Sequence, residues 1–136
     1  MVSKLGGMKR DLKFRFVLRN KSLDRIEFKW YTLNQLEQNS LKELFNVEDY
    51  EIISRDQFTG LKDCNWVDIY EGDYDQDHQV VVWCERRLGW SLFTYDFPTK
   101  EFIHCNCYCC EGNYELNECF DIEIIGNIHQ NPELQP

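Results

Sequence analysis

The chain has 136 residues, 43% of them hydrophobic and 15% aromatic, which suits one domain with a sizeable core and excludes a disordered composition. Its net charge is −9, split into nine Lys or Arg against three acids in residues 1–30 and six against 21 thereafter, a balance that argues against tracking a nucleic-acid backbone. No apolar run approaches the ~20 residues that span a bilayer, and MVSKLGGMKRDLKF lacks the apolar centre of a secretory signal, so a soluble cytoplasmic protein is expected.

Asp11–Leu18 alternates apolar and basic side chains, with Leu12, Phe14, Phe16 and Leu18 on one face, and predicts a strand. The basic set Lys9, Arg10, Lys13, Arg15, Arg19 and Lys21 reads as the solvated face of that strand; an acidic partner or the chain's own acidic half are the alternatives. RNKSLD supplies turn residues, and Arg25–Tyr31 alternates again through Ile26, Phe28 and Trp30, which makes a hairpin. Thr32 and Gln35 fit a capping box, and Leu33, Leu36, Leu41, Leu44 and Phe45 recur at helical spacing, with a break near Asn39 and Ser40. One short helix or two is expected there. Tyr50–Ser54 returns to extended character.

Gln57–Asp73, QFTGLKDCNWVDIYEGD, reads as a rigid connection built from turn chemistry: Gly60 and Gly72 tolerate positive φ, while Asp63, Asn65, Asp68 and Asp73 bond nearby backbone. Beyond it YDQDHQ reads as a solvated acidic loop. Gln79–Cys84 is a continuous apolar run of the kind buried on both sides, and Gly89–Phe97 is the next strand, ended by Pro98. Lys100–Cys110 predicts a further strand and Phe120–Ile128 the last, bent at Gly126 and Asn127. Many short strands with close turn signals predict an all-β barrel core with one helical excursion.

Gln57–Asp63 and Ile69–Asp73 resemble the signature of the YopX family, small proteins of bacteriophages and other mobile elements of bacteria, and Glu123–Leu134 resembles the family's closing Gly–Asn–Ile and Asn–Pro–Glu–Leu. The resemblance runs from about Met8 to Leu134 and departs at YDQDHQ, where the family continues into an apolar strand, and at the cysteine-rich CNCYCC. It implies a bacterial-cell setting, a mainly β fold whose C-terminal part is a small SH3-type β-barrel, and no assigned enzymatic activity. One domain over residues 1–136 is therefore expected, with a hairpin and short helix in 11–56 and the barrel part in 57–134.

Seven cysteines are the main chemical constellation. Cys107 and Cys110 form a C-x-x-C, whose thiolates can share one tetrahedral zinc, and Cys105 and Cys119 complete a candidate site, with His104 a further donor. The plainer account is a set of reduced intracellular thiols, and no other cofactor is expected. Asp73, Asp75 and Asp77 resemble the start of a calcium loop, but the sixth position is His78 and the twelfth Cys84, where Gly and Glu are required. Glu71 and Asp73 make a candidate acid–base pair that turn formation alone would explain, and His104 and His129 read as isolated surface or strand histidines. Trp66, Tyr70 and Trp90 are candidate binding residues on the loops and rim of a small barrel, and Trp66, Trp83 and Trp90 could stack on bases, although core or rim packing is the simpler role. The expectation is a non-catalytic protein-interaction or assembly module, with a protein partner or self-association, no membrane, no nucleic acid and no evident small-molecule substrate. The alternative is a structural or regulatory zinc protein built on Cys105–Cys119.

Overall fold

Alternation in the first apolar run builds the strand that both halves of the molecule use. β1 (Lys13–Asn20) turns back into β2 (Arg25–Thr32) as an antiparallel hairpin, in register from Lys13 opposite Thr32 to Asn20 opposite Arg25. Asn20 Oδ1 accepts from the N–H groups of Ser22 and Leu23, which closes the turn. The structure, a computed structural model, describes residues 12–85, 88–96, 101–103, 114–115 and 122–130.

Two helices follow, broken where the sequence predicts. In α1 (Leu33–Gln38) the Thr32 hydroxyl accepts from Gln35 N–H, and the Gln35 side chain accepts from Thr32 N–H at 2.8 Å. In α2 (Leu41–Leu44) Glu43 Oε1 accepts from Ser40 N–H at 2.7 Å, a second box that the sequence pattern S-L-K-E carries. Neither helix buries a residue completely, but Leu36, Leu41 and Leu44 pack onto a core of Phe16, Leu18, Tyr31 and Phe45. Phe16 meets Tyr31 edge-on, with ring centres 5.3 Å apart. The predicted apolar face is thus Phe14, Phe16 and Leu18, while Leu12 is largely exposed.

β3 (Tyr50–Lys62) pairs along the other side of β1 and then with β4 (Asp68–Tyr70), giving a four-stranded sheet in the order β2-β1-β3-β4. Here the expected connection is corrected. Gln57–Lys62 is the second half of a thirteen-residue strand, and the turn proper is Asp63–Val67. Gly60, at φ +89°, interrupts the pairing register with β4 without ending the strand, so a turn-forming glycine here marks an irregularity rather than a turn.

The second sheet runs β10-β5-β6-β7-β8, from β5 (Asp73–Asp75), β6 (Gln79–Cys84), β7 (Gly89–Asp96), β8 (Glu101–Ile103) and β10 (Ile124–Asn127), with β9 (Tyr114–Glu115) pairing β7. The loop expected at YDQDHQ is confined to Gln76–His78, where Gln76 and Asp77 are exposed, and the acidic start of the segment is strand instead. Asp73, Tyr74 and Asp75 form a strand whose side chains are 3%, 0% and 2% exposed, because β10 and β6 flank it on either side. The carboxylates are tolerated there since each accepts main-chain N–H groups: Asp73 from Tyr70, and Asp75 from Asp77 and Gln79. Ile69 of β4 packs with Val81, Leu92 and Ile122, with Leu61 of β3 against them, so the sheets share a core. The fold is mainly β, with curled sheets forming a half-barrel behind a hairpin and short helices. Among the described residues no helix is long and apolar enough to cross a membrane.

Candidate functional site

On the face of β1 away from the helices, Arg15 is the residue that reaches the second sheet and forms the centre of a buried ion cluster. Its Nε and Nη2 donate to Asp56 Oδ2 of β3 at 3.0 and 2.7 Å, its Nη1 donates to Asp73 Oδ1 of β5 at 2.5 Å, and Nη2 also reaches the Glu71 carbonyl at 3.1 Å. The three side chains are nearly dry, with Arg15 5% exposed and each aspartate 3%. The guanidinium lies 5.2 Å from the Tyr70 ring centre and 5.7 Å from that of Phe28. Arg15 therefore has no solvated face, and the basic stripe read from the sequence is corrected at this position: the chain's own acidic half takes it.

Around this ion cluster the remaining contacts are close. Asp56 Oδ1 accepts from the Ser54 hydroxyl at 2.5 Å, and Asp73 Oδ2 from Tyr70 N–H at 2.8 Å. His129, following β10, places a buried Nε2 3.3 Å from Asp56 Oδ2 without the alignment of a directed hydrogen bond, so this half-buried side chain is a neighbour of the cluster rather than an isolated surface histidine. Gly72 sits over them at φ +90°, and a Cβ there would lie 3.6 Å from His129 Nε2 and 3.7 Å from Arg15 Nη2 and Asp56 Oδ2. Backbone conformation, more than space, selects glycine at that position.

Burial opposes the charge on Arg15, but Asp73 and Asp56 outweigh it and hold its pKa above the ordinary value. For Asp56 burial is likewise outweighed, by His129 and Arg15, and its pKa falls below the usual carboxylate value. Asp73 goes the other way. Burial dominates over Arg15 and the Tyr70 N–H and pushes it up to about 6, and burial also raises Glu71. Two carboxylates on one guanidinium carry an excess negative charge, and the more deeply desolvated one holds its proton more tightly.

Above this cluster lies an open cleft of about 480 Å³. Arg15 and Asp73 form its floor. Lys13 and Trp30 come from the hairpin, Val67, Asp68 and Tyr70 from the end of the turn and β4, and Ile124, Gly126 and Asn127 from β10. Lys13 Nζ donates to Asp68 Oδ2 at 2.7 Å and Lys62 Nζ to Asp68 Oδ1 at 2.5 Å. Burial works against the Asp68 charge, but the two lysines outweigh it and lower its pKa. Trp30 is 56% exposed and Val67 50%, whereas Tyr70 is 5% exposed and burial pushes its phenol up to about 12.

Of the predicted binding residues, only Tyr70 lines this cleft. Trp66 stands beside Val67 in the turn, 80% exposed and at φ +65°, a conformation uncommon for a bulky side chain. Trp90 lies in the second sheet, packed against the Ile69–Val81–Leu92–Ile122 core and edge-on to Trp83 at 5.4 Å. The candidate zinc ligands Cys105, Cys107, Cys110 and Cys119 lie outside the described residues, as does His104. Among the described residues no group of three or more His, Cys, Asp or Glu is arranged to hold a metal ion; Cys64 is exposed and Cys84 buried. The calcium-like triplet is dismantled by β5, which buries Asp73 and Asp75 on separate partners. Sequence reasoning passed over Arg15, Trp30, Asp56 and His129 as site residues. The available signal was an aspartate and an arginine inside strand patterns, where charges are kept only when paired.

A mainly β half-barrel with a buried ion cluster beneath an open cleft defines a small β-rich protein. The pattern of the YopX protein family matches residues 13–135, nearly the whole chain, and the protein belongs to that family. No curated protein matches the chain.

Proposed function

We propose that this YopX-family protein is a non-catalytic protein-interaction module, of bacteriophage or mobile-element origin, working in the cytoplasm of a bacterial cell. The contact face is the cleft between the hairpin, β4 and β10. One observation carries this reading: Trp30 and Val67 leave large apolar surface in water at the mouth of a cleft whose floor is buried and internally bonded. Half-exposed aromatic groups over a desolvated floor are where interface energy concentrates. Arg15, Asp56 and Asp73 are bonded chiefly to one another, which gives them a structural role in joining the sheets and supports a module that binds rather than reacts.

Affinity purification of the tagged chain from bacteria carrying the element tests this. A polypeptide recovered in stoichiometric amount with the wild type, and lost with Trp30→Asp while Trp83→Phe retains it, is the expected result. Equal recovery with Trp30→Asp and Val67→Asp, or no partner at all, would count against the cleft as the contact face.

A further inference from the structure

We propose that the cleft takes an extended, uncharged polypeptide segment, with an apolar side chain against Trp30 and Val67 and a main-chain carbonyl accepting a hydrogen bond from the Tyr70 hydroxyl. This rests on the reading of the chain as an interaction module and names the chemistry of its partner.

Charge is the first argument. The cleft is lined by two cations, Lys13 and Arg15, and two anions, Asp68 and Asp73, so its formal charge sums to zero. Each of the four is already engaged: Lys13 and Lys62 share Asp68, and Arg15 holds Asp73. A charged ligand that competed for Arg15 would leave a buried aspartate without its cation, and one that competed for Lys13 or Asp68 would have to displace an existing ion pair. An uncharged one meets no such penalty.

Tyr70 supplies the second argument. It is 5% exposed and lines the cleft, and its hydroxyl takes no hydrogen bond from, and gives none to, the described residues. With its pKa at about 12 the phenol keeps its proton at neutral pH and remains a donor. Its hydroxyl is not sealed from solvent, so a phenol that lines the cleft and has no bond within the described residues can give its proton to a group arriving from outside.

Shape supplies the third. β4 and β10 each end their sheet, so the cleft follows two strand edges. Its mouth, flanked by half-exposed Trp30 and Val67, is open, unlike the enclosed pockets that bury most of a small ligand. A groove along strand edges, with one apolar slot and one main-chain hydrogen bond, is the kind of site that extended peptides fill.

The test is a displayed library of random linear peptides panned against the full chain, with the Trp30→Ala chain for counter-selection. Enriched peptides are expected to share an apolar residue flanked by uncharged ones and to bind with little dependence on salt. Tyr70→Phe, which keeps the ring and its packing, should weaken an enriched peptide about fivefold, and Trp30→Ala roughly tenfold or more. Sequences rich in Lys and Arg, or in Asp and Glu, with steep salt dependence would overturn the proposal, as would binding indifferent to Tyr70→Phe. If no peptide is enriched while a co-purified partner still depends on Trp30, the extended segment is wrong and a folded surface is recognised instead. Loss of both results removes the interaction module as well.

Discussion

Arg15 holds two aspartates from two different sheets in a nearly dry environment, and the consequences are sharpest at that residue. Replacing it with alanine leaves Asp56 and Asp73 buried without the cation that offsets their charges. Removing one partner from a buried charge cluster costs about 3–5 kcal/mol, so Arg15→Ala should lower the urea midpoint strongly or abolish folding. Asp73 gives a pH signature with a definite sign. Its pKa of about 6 in the folded chain lies above the unfolded carboxylate value, so the folded state binds the proton more tightly. Its contribution to stability is full at low pH and is lost as pH rises through 6. Between pH 5 and pH 7 the loss is about 1 kcal/mol. Urea titrations at both pH values should therefore show a smaller difference for Asp73→Asn than for the wild type. Asp56, held low, works oppositely, contributing stability that disappears only as pH falls through its depressed pKa.

Among the elements, β3 and the turn after it decide how the sheets are joined. Gly60 is exposed at φ +89°, with nothing within 4 Å of where a Cβ would stand. Gly60→Ala meets no steric obstacle, so its cost is conformational alone, about 1–2 kcal/mol by thermal melting. Asp63, 7% exposed, accepts from the N–H groups of Asn65 and Val67 within the turn and from that of Ile124 on β10, at 2.8, 2.9 and 3.0 Å. Cys64 N–H adds a bond to the Ile122 carbonyl at 2.9 Å. Asp63→Ala should cost about 1–2 kcal/mol, since three partly buried or exposed main-chain donors lose their acceptor together, and amide exchange at Ile124 should accelerate.

At the scale of the whole molecule the two sheets unfold as one body if the shared core and the ion cluster both bind them. Ile69 and Leu61 from the first sheet pack with Val81, Leu92 and Ile122 from the far side of Gly72, and Arg15 and Asp73 cross the same boundary. Far-UV circular dichroism and tryptophan fluorescence should give coincident urea transitions for the wild type. A conservative weakening of the crossing, such as Ile69→Val, should shift both transitions together rather than separate them. The four tryptophans divide between the halves, with Trp30 and Trp66 in the first and Trp83 and Trp90 in the second, so fluorescence samples each.

The sequence by itself determined the local elements: the hairpin from period-two alternation, the helix start from Thr32 and Gln35, the break at Asn39 and Ser40, and the strand at Gln79–Cys84. These are set by neighbours within a few residues, and two ordered motifs were enough to indicate the YopX family. Tyr70, an aromatic flanked by turn chemistry, is the candidate from the sequence that lines the cleft. What only the tertiary structure decided was the fate of the charges. Arg15 and Asp73 are 58 positions apart, and nothing near either one says that they will form a buried ion pair. A solvated face and a buried ion pair look alike along a single strand. The difference is made by what the chain packs against that strand, which here is the sheet that begins at Asp73.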